Sequence, residues 1–185
     1  MPIIIGAKRE SDFTDFIGML GDCHRRIERF LDVLVHVAEH AHGEALSEEQ
    51  RGALDTALHY FRDTAPKHTA DEEESLLPRL RRNGSADVRA LLARMESLEK
   101  EHVCADRSHR EVDSLGQLWL RDGRLPPEQS LRLLTVLTQL RDLYRHQIAT
   151  EDNEVFPAAA AVLSASDRAA IGSEMASRRG IPVSA

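Results

Sequence analysis

Aromatic residues make up only 4% of this 185-residue chain, and glycine only 10 positions. Beside abundant Leu, Ala, Arg and Glu, that scarcity favours an all-helical protein. Positive charge is also short: 24 Lys and Arg face 31 Asp and Glu, for a net charge of −7. Nucleic-acid binding rests on a basic surface, so no nucleic-acid partner is expected. No apolar run approaches the roughly 18 residues that a membrane span needs, so no membrane partner is expected either. The two cysteines, Cys23 and Cys104, form no CxxC. They read as buried packing thiols of a reducing compartment and leave room for at most one disulfide. The opening MPIIIGAKRE has a short apolar run without a preceding basic region or cleavage site, so the expected location is the cytoplasm.

What is present is helical periodicity. Residues 1–10 read as an N-terminal arm. From Ser11, the residues Phe13, Ile17, Leu20, His24, Ile27, Leu31, Leu34 and Ala38 recur at alternating steps of four and three, which is one face of a helix. Ser47 with Gln50 makes a capping box for a second helix, whose face is Leu54, Leu58, Phe61, Ala65, His68, Glu72 and Leu76. Pro66 should kink or break it, and Asn83-Gly84 should end it. Ser85 can cap a third helix, whose face runs from Val88 through Leu98, His102, Ala105 and His109 to Trp119. Asp122-Gly123 stops it. The segment Leu125-Pro126-Pro127 opens a fourth, whose face is read as Leu131, Leu134, Leu137, Leu140 and Tyr144, then His146, Ile148 and Glu151. A short fifth helix is expected over Ser166 to Arg179. The implied architecture is all-α: an up-down-up-down four-helix bundle over 11–163, followed by a C-terminal helix and tail over 164–185.

Two strings stand out, HTADEEESLLP (68–78) and HQIATEDNEVFP (146–157). Each has a histidine, then an acidic pair, then two apolar residues and proline. Each of the four long helices thus carries a histidine on or near its apolar stripe: His24, His68, His102 and His146. Glu72 and Glu151 follow two of them. One histidine on an apolar face is commonly a hydrogen-bonded core group, and three adjacent glutamates are commonly a solvated run. The joint pattern is different, because an uncompensated buried carboxylate costs several kcal/mol and cations remove that cost. Imidazole with carboxylate suits iron, manganese or zinc. His68 and Glu72, four residues apart, share a face. His146 and Glu151, five apart, are rotated by about 140° on a regular helix, so a π-bulge or a long side-chain sweep is needed to bring them together. His36, His40, His42 and His59 are expected at the surface or at helix ends. His109 lies about 10 Å beyond His102 along the helix and is expected to line a pocket or to support the ligands. The plainer alternative is a structural bundle whose histidines are only polar core groups.

These strings, with CHRRIERFL around His24 and LEKEH ending at His102, resemble the hemerythrin-like HHE cation-binding domain over about residues 12–163. The resemblance implies a bundle holding two non-haem irons, with zinc or manganese as the other ions that fit. His24 and His68 would be terminal ligands of one iron, and His102 and His146 of the other. Glu72 and Glu151 would bridge the pair, and the five-residue step from His146 to Glu151 is similar to that of oxygen-carrying hemerythrins. Those carriers have two histidines one turn apart on the third helix. Here the residues four away from His102 are Leu98 and Asp106, so one histidine is missing and Asp106, Glu73 or water would fill its place. A carboxylate there would stabilise the ferric state. The resemblance therefore implies binding or sensing of a small diatomic or peroxide ligand, or a di-iron enzyme turning over hydrogen peroxide or nitric oxide, or iron handling, rather than oxygen transport. The sequence carries no sign of the oligomeric state.

Overall fold

The structure is a computed structural model that describes residues 10–83 and 86–182. Most of the arm expected over 1–10 lies outside the described residues, as do Gly84 and the cap expected at Ser85. The described helices are α1 (Phe16–Ala41), α2 (Glu48–Asp63), α3 (Ala65–Ala70), α4 (Leu77–Asn83), α5 (Ala86–Asp122), α6 (Pro127–Thr150), α7 (Phe156–Val162) and α8 (Ala165–Arg178). Two π-helical turns, Asp71–Leu76 and Glu151–Val155, join α3 to α4 and α6 to α7. No strand occurs among the described residues. No described helix is long and apolar enough to cross a membrane.

The helix ends follow local chemistry. The first helix starts at Phe16 rather than Ser11, because the Asp15 side chain accepts from the Gly18 amide at 2.9 Å and caps it there. Its other end closes at His42, which takes the left-handed conformation (φ 48°). The Ser47–Gln50 capping box forms. The break expected near Pro66 falls at Thr64, between α2 and α3. Pro126 and Pro127 open α6. The last helix is capped by Ser164, whose hydroxyl accepts from the Asp167 amide.

The π turns sit at matching places in the two strings. The Leu77 amide donates to the Glu72 carbonyl, and the Phe156 amide to the Glu151 carbonyl, five residues back in each case. In each string a proline comes next, Pro78 or Pro157. A proline ring clashes with the carbonyl four residues before it. A wide turn just ahead of the ring lets the rod continue.

The rods pack around two apolar clusters. One gathers Ile27, Leu31, Leu58, Phe61, Ala105 and Leu137, and the other Leu20, Leu76, Leu98, Val155, Phe156 and Met175. On each rod the change from one cluster to the other brackets a polar residue. Leu20 and Ile27 bracket His24, Ala65 and Leu76 bracket His68 and Glu72, Leu98 and Ala105 bracket His102, and Ile148 and Val155 bracket Glu151. A polar layer therefore divides the core.

The fourth helix corrects the expected stripe. Leu131 is 67% exposed, and the buried face is Leu133, Leu137, Leu140 and Gln147. Cys104 is exposed rather than packed, Cys23 is buried, and neither is in a disulfide. α8 folds back on the first string. Asp71, fully buried, accepts from Arg178 Nη1 at 2.8 Å and Arg179 Nη2 at 2.6 Å. Glu174 in turn accepts from Arg79 and from the Ser75 hydroxyl. Gly172 lets the segment ahead of α1 cross α8 closely, since a Cβ there would stand 1.9 Å from the Phe13 carbonyl oxygen.

Candidate metal centre

His24, His68, Glu72 and Glu151 converge in the polar layer. All four are buried, and each offers a ligand atom within 4.8 Å of those of the others. His102 joins from α5 on the far side of the two carboxylates. Glu72 presents Oε1 to His68 Nε2 at 3.5 Å and Oε2 to His102 Nε2 at 3.6 Å. Glu151 presents Oε2 to His24 Nε2 at 3.0 Å and Oε1 to His102 Nε2 at 3.8 Å. Each carboxylate thus turns one oxygen towards the His24–His68 side and the other towards His102.

The second acid of each pair orients an imidazole. Asp152 Oδ1 lies 2.8 Å from His24 Nδ1, and Glu73 Oε1 lies 2.9 Å from His102 Nδ1. A carboxylate on Nδ1 keeps the proton there and aims Nε2 at the centre, the arrangement that supports metal-bound histidines. Sequence reasoning kept Glu73 only as a substitute ligand and passed over Asp152 as the partner of a distant histidine. The signal was available, because an acidic pair, not a single acid, recurs in both strings. His24 is held further by stacking on Phe156, with ring centroids 5.2 Å apart.

Burial and close charges pull the groups of the centre in different directions. Burial disfavours charge on His24, yet the hydrogen bond to Asp152 and the nearby Glu151 carboxylate win and raise its pKa to about 9. Burial pushes His68 well below the usual imidazole range. Burial, with the neighbouring Glu151, pushes Glu72 well above the usual carboxylate range. His24 Nε2, His68 Nδ1 and both Glu72 oxygens are buried without a hydrogen-bond partner. Unpaired buried carboxylates cost several kcal/mol each, comparable with the ~5–15 kcal/mol net stability of a typical domain. Cations at this donor set would offset that cost, so the residues present fit a metal centre.

Two expected residues are not brought in. His146 is exposed. The helix stays α-helical from His146 to Glu151, because the π turn begins at Glu151 and so cannot rotate the histidine inwards. The residue one regular turn before Glu151 is Gln147, 2% exposed, with both side-chain polar atoms unpartnered. Asp106 is exposed and pairs with Arg110 on its own helix, so it does not replace the missing histidine. His36, His40, His42 and His59 are exposed, as expected.

A cavity of 280 Å³ opens beside His102, with Glu73, Phe61, His109 and Tyr144 among its walls. His109 Nε2 lies 2.9 Å from the Tyr144 hydroxyl, and its ring stacks on Phe61 at 4.4 Å. Burial lowers the His109 pKa to about 4 and raises that of Tyr144, so both are neutral at pH 7. His109 is thus a wall residue of this cavity, as expected.

A family model described as the hemerythrin HHE cation-binding domain matches residues 15–159. No curated protein and no solved structure gives a significant match. The matched span contains all three histidines and both carboxylates of the centre, and the bundle that carries them. The chain belongs to the family of hemerythrin HHE cation-binding domains.

Proposed function

We propose that the protein holds two non-haem iron ions and binds or senses oxygen or a related small ligand in the cytoplasm, a setting suited to its two unpaired cysteines. The observation that carries this reading is the split presentation of Glu72 and Glu151, each with one oxygen on either side of the polar layer. One ion would be held by His24, His68 and one oxygen of each carboxylate. The other would be held by His102 and the remaining two oxygens. Bound iron supplies a change of oxidation state and exchangeable positions for a small ligand. The chain's own part is to aim and to shield. Asp152 and Glu73 hold protons on Nδ1 of His24 and His102, so that Nε2 is free to donate. Phe156 and the two apolar clusters keep bulk water away, and the cavity beside His102 gives a ligand a way in. Zinc and manganese fit the same donors.

One observation favours a second reading, turnover of peroxide or nitric oxide, or iron handling. With His146 outside, the set has three imidazoles to two carboxylates, and anionic donors stabilise the oxidised ion. The test starts from protein purified without added metal, then loaded anaerobically with ferrous iron. The first reading expects about two irons per chain and an absorption change that reverses when oxygen is removed. The second expects steady peroxide consumption that is lost in His68→Ala. Absence of any stoichiometric metal, with no new absorption after loading, would leave only a structural bundle.

A further inference from the structure

We infer that the two cation positions are unequal, a tight one at His24–His68 and a weaker one at His102, and that Gln147 sets the difference. The inference rests on the two-cation reading and adds an order of filling to it.

The donors differ in number and kind. The first position has two imidazole nitrogens and two carboxylate oxygens, all within 4.8 Å of one another. The second has one imidazole and the two other carboxylate oxygens, at 3.6 and 3.8 Å from His102 Nε2. The two strings match in their π turns and in the second acid that braces a histidine of a neighbouring rod, so the halves of the centre correspond. In that correspondence Gln147, one turn before Glu151, takes the place that His68 holds one turn before Glu72. It is equally buried, and its amide oxygen and nitrogen have no partner. A neutral amide oxygen is a weaker ligand for a transition ion than imidazole. The second position is also the one beside the cavity, whose wall includes His102. The first position thus fills first and holds its ion. The second exchanges its ion more readily and is the one a small ligand reaches.

The experiment is a zinc titration of the metal-free full-length protein, followed by calorimetry and by native mass spectrometry. Zinc is redox-inert, so the readout is binding and not activity. Wild type is expected to bind two zinc ions in two classes at least about tenfold apart. Gln147→His should tighten only the second class by about tenfold or more, and Gln147→Leu should weaken only that class. His146→Ala should change neither, with circular dichroism confirming that each variant is folded. Two equivalent ions in wild type, an unmoved second class in Gln147→His, or loss of an ion in His146→Ala would each overturn the inference while leaving the metal reading intact. A wild-type protein that binds no zinc and no iron would overturn the metal reading itself.

Discussion

The two acidic strings do the same work with different support. In both, the first acid points into the polar layer, the second braces an imidazole from another rod, and a π turn precedes a proline. They differ in two respects. The first string has four residues from histidine to glutamate and the second has five, so His68 is buried and His146 is exposed. The residue before the glutamate also differs. Asp71 anchors Arg178 and Arg179 at the end of α8, whereas Thr150 donates to the His146 carbonyl on its own helix. A repeated motif can therefore keep its bridging acid while one added residue changes which neighbour lies inside. Among the described residues the arginine pair from the C-terminal end of the chain fastens the first copy, whereas the second is tied to α5 by Arg94 and Glu154.

The sharpest way to break this comparison is to remove the fastening. Asp71→Ala leaves the half-buried Arg179 without its carboxylate and Arg178 with Glu74 alone, and should cost about 3 kcal/mol of unfolding free energy. Thr150→Ala should cost about 0.5 kcal/mol. Urea denaturation of both variants measures the difference, and equal losses would mean that α8 does not distinguish the strings.

A smaller effect separates the acid sensitivity of the strings from that of the bundle around them. His109 is held down at about 4 by burial, below the ordinary 6.5. The unfolded chain therefore takes up a proton that the folded one refuses, and stability falls as pH drops from 6.5 towards 4. At pH 5 the loss is about 2 kcal/mol. His109→Phe should flatten that part of the stability-against-pH curve. If the wild-type and variant curves run parallel, the sensitivity lies in the strings instead.

The smallest effect concerns the two braces. Asp152→Asn should weaken the ion held by His24, and Glu73→Gln the ion held by His102, each by about tenfold. Metal titration of the two variants would show either different classes affected or the same one. The latter outcome would erase the correspondence between the strings.

Much of this was legible beforehand. His24, His68, Glu72 and His102 lie on unbroken four-and-three stripes, and a stripe needs only helix geometry to be read. The error on the fourth helix has a specific cause. Starting from Leu131 and stepping by threes drifts around the helix and arrives near His146. Starting from Leu133 gives Leu137, Leu140, Tyr144, Gln147 and Glu151, again in fours and threes. The family spacing from His146 to Glu151 drew the histidine inwards where regular helix geometry does not. The recurring acidic pair marked Asp152, but its partner His24 lies 128 residues away, so the pairing itself could not be read locally. The burial of Asp71 by α8 was equally hidden, because an acidic run next to a glutamate triplet looks solvated until another element covers it.

The residue order by itself decided that this is a bundle, where its rods begin and end, and that ionisable groups interrupt the apolar faces of those rods. Those features depend on neighbours a few positions away, through helical period, caps and prolines. The packed structure alone decided which oxygen of each carboxylate faces which imidazole, which acid braces which histidine, and that a glutamine and not a histidine completes the fourth rod. Those are contacts between distant parts of the chain, and they follow from the rotation of each rod against its neighbours, which no single stripe specifies.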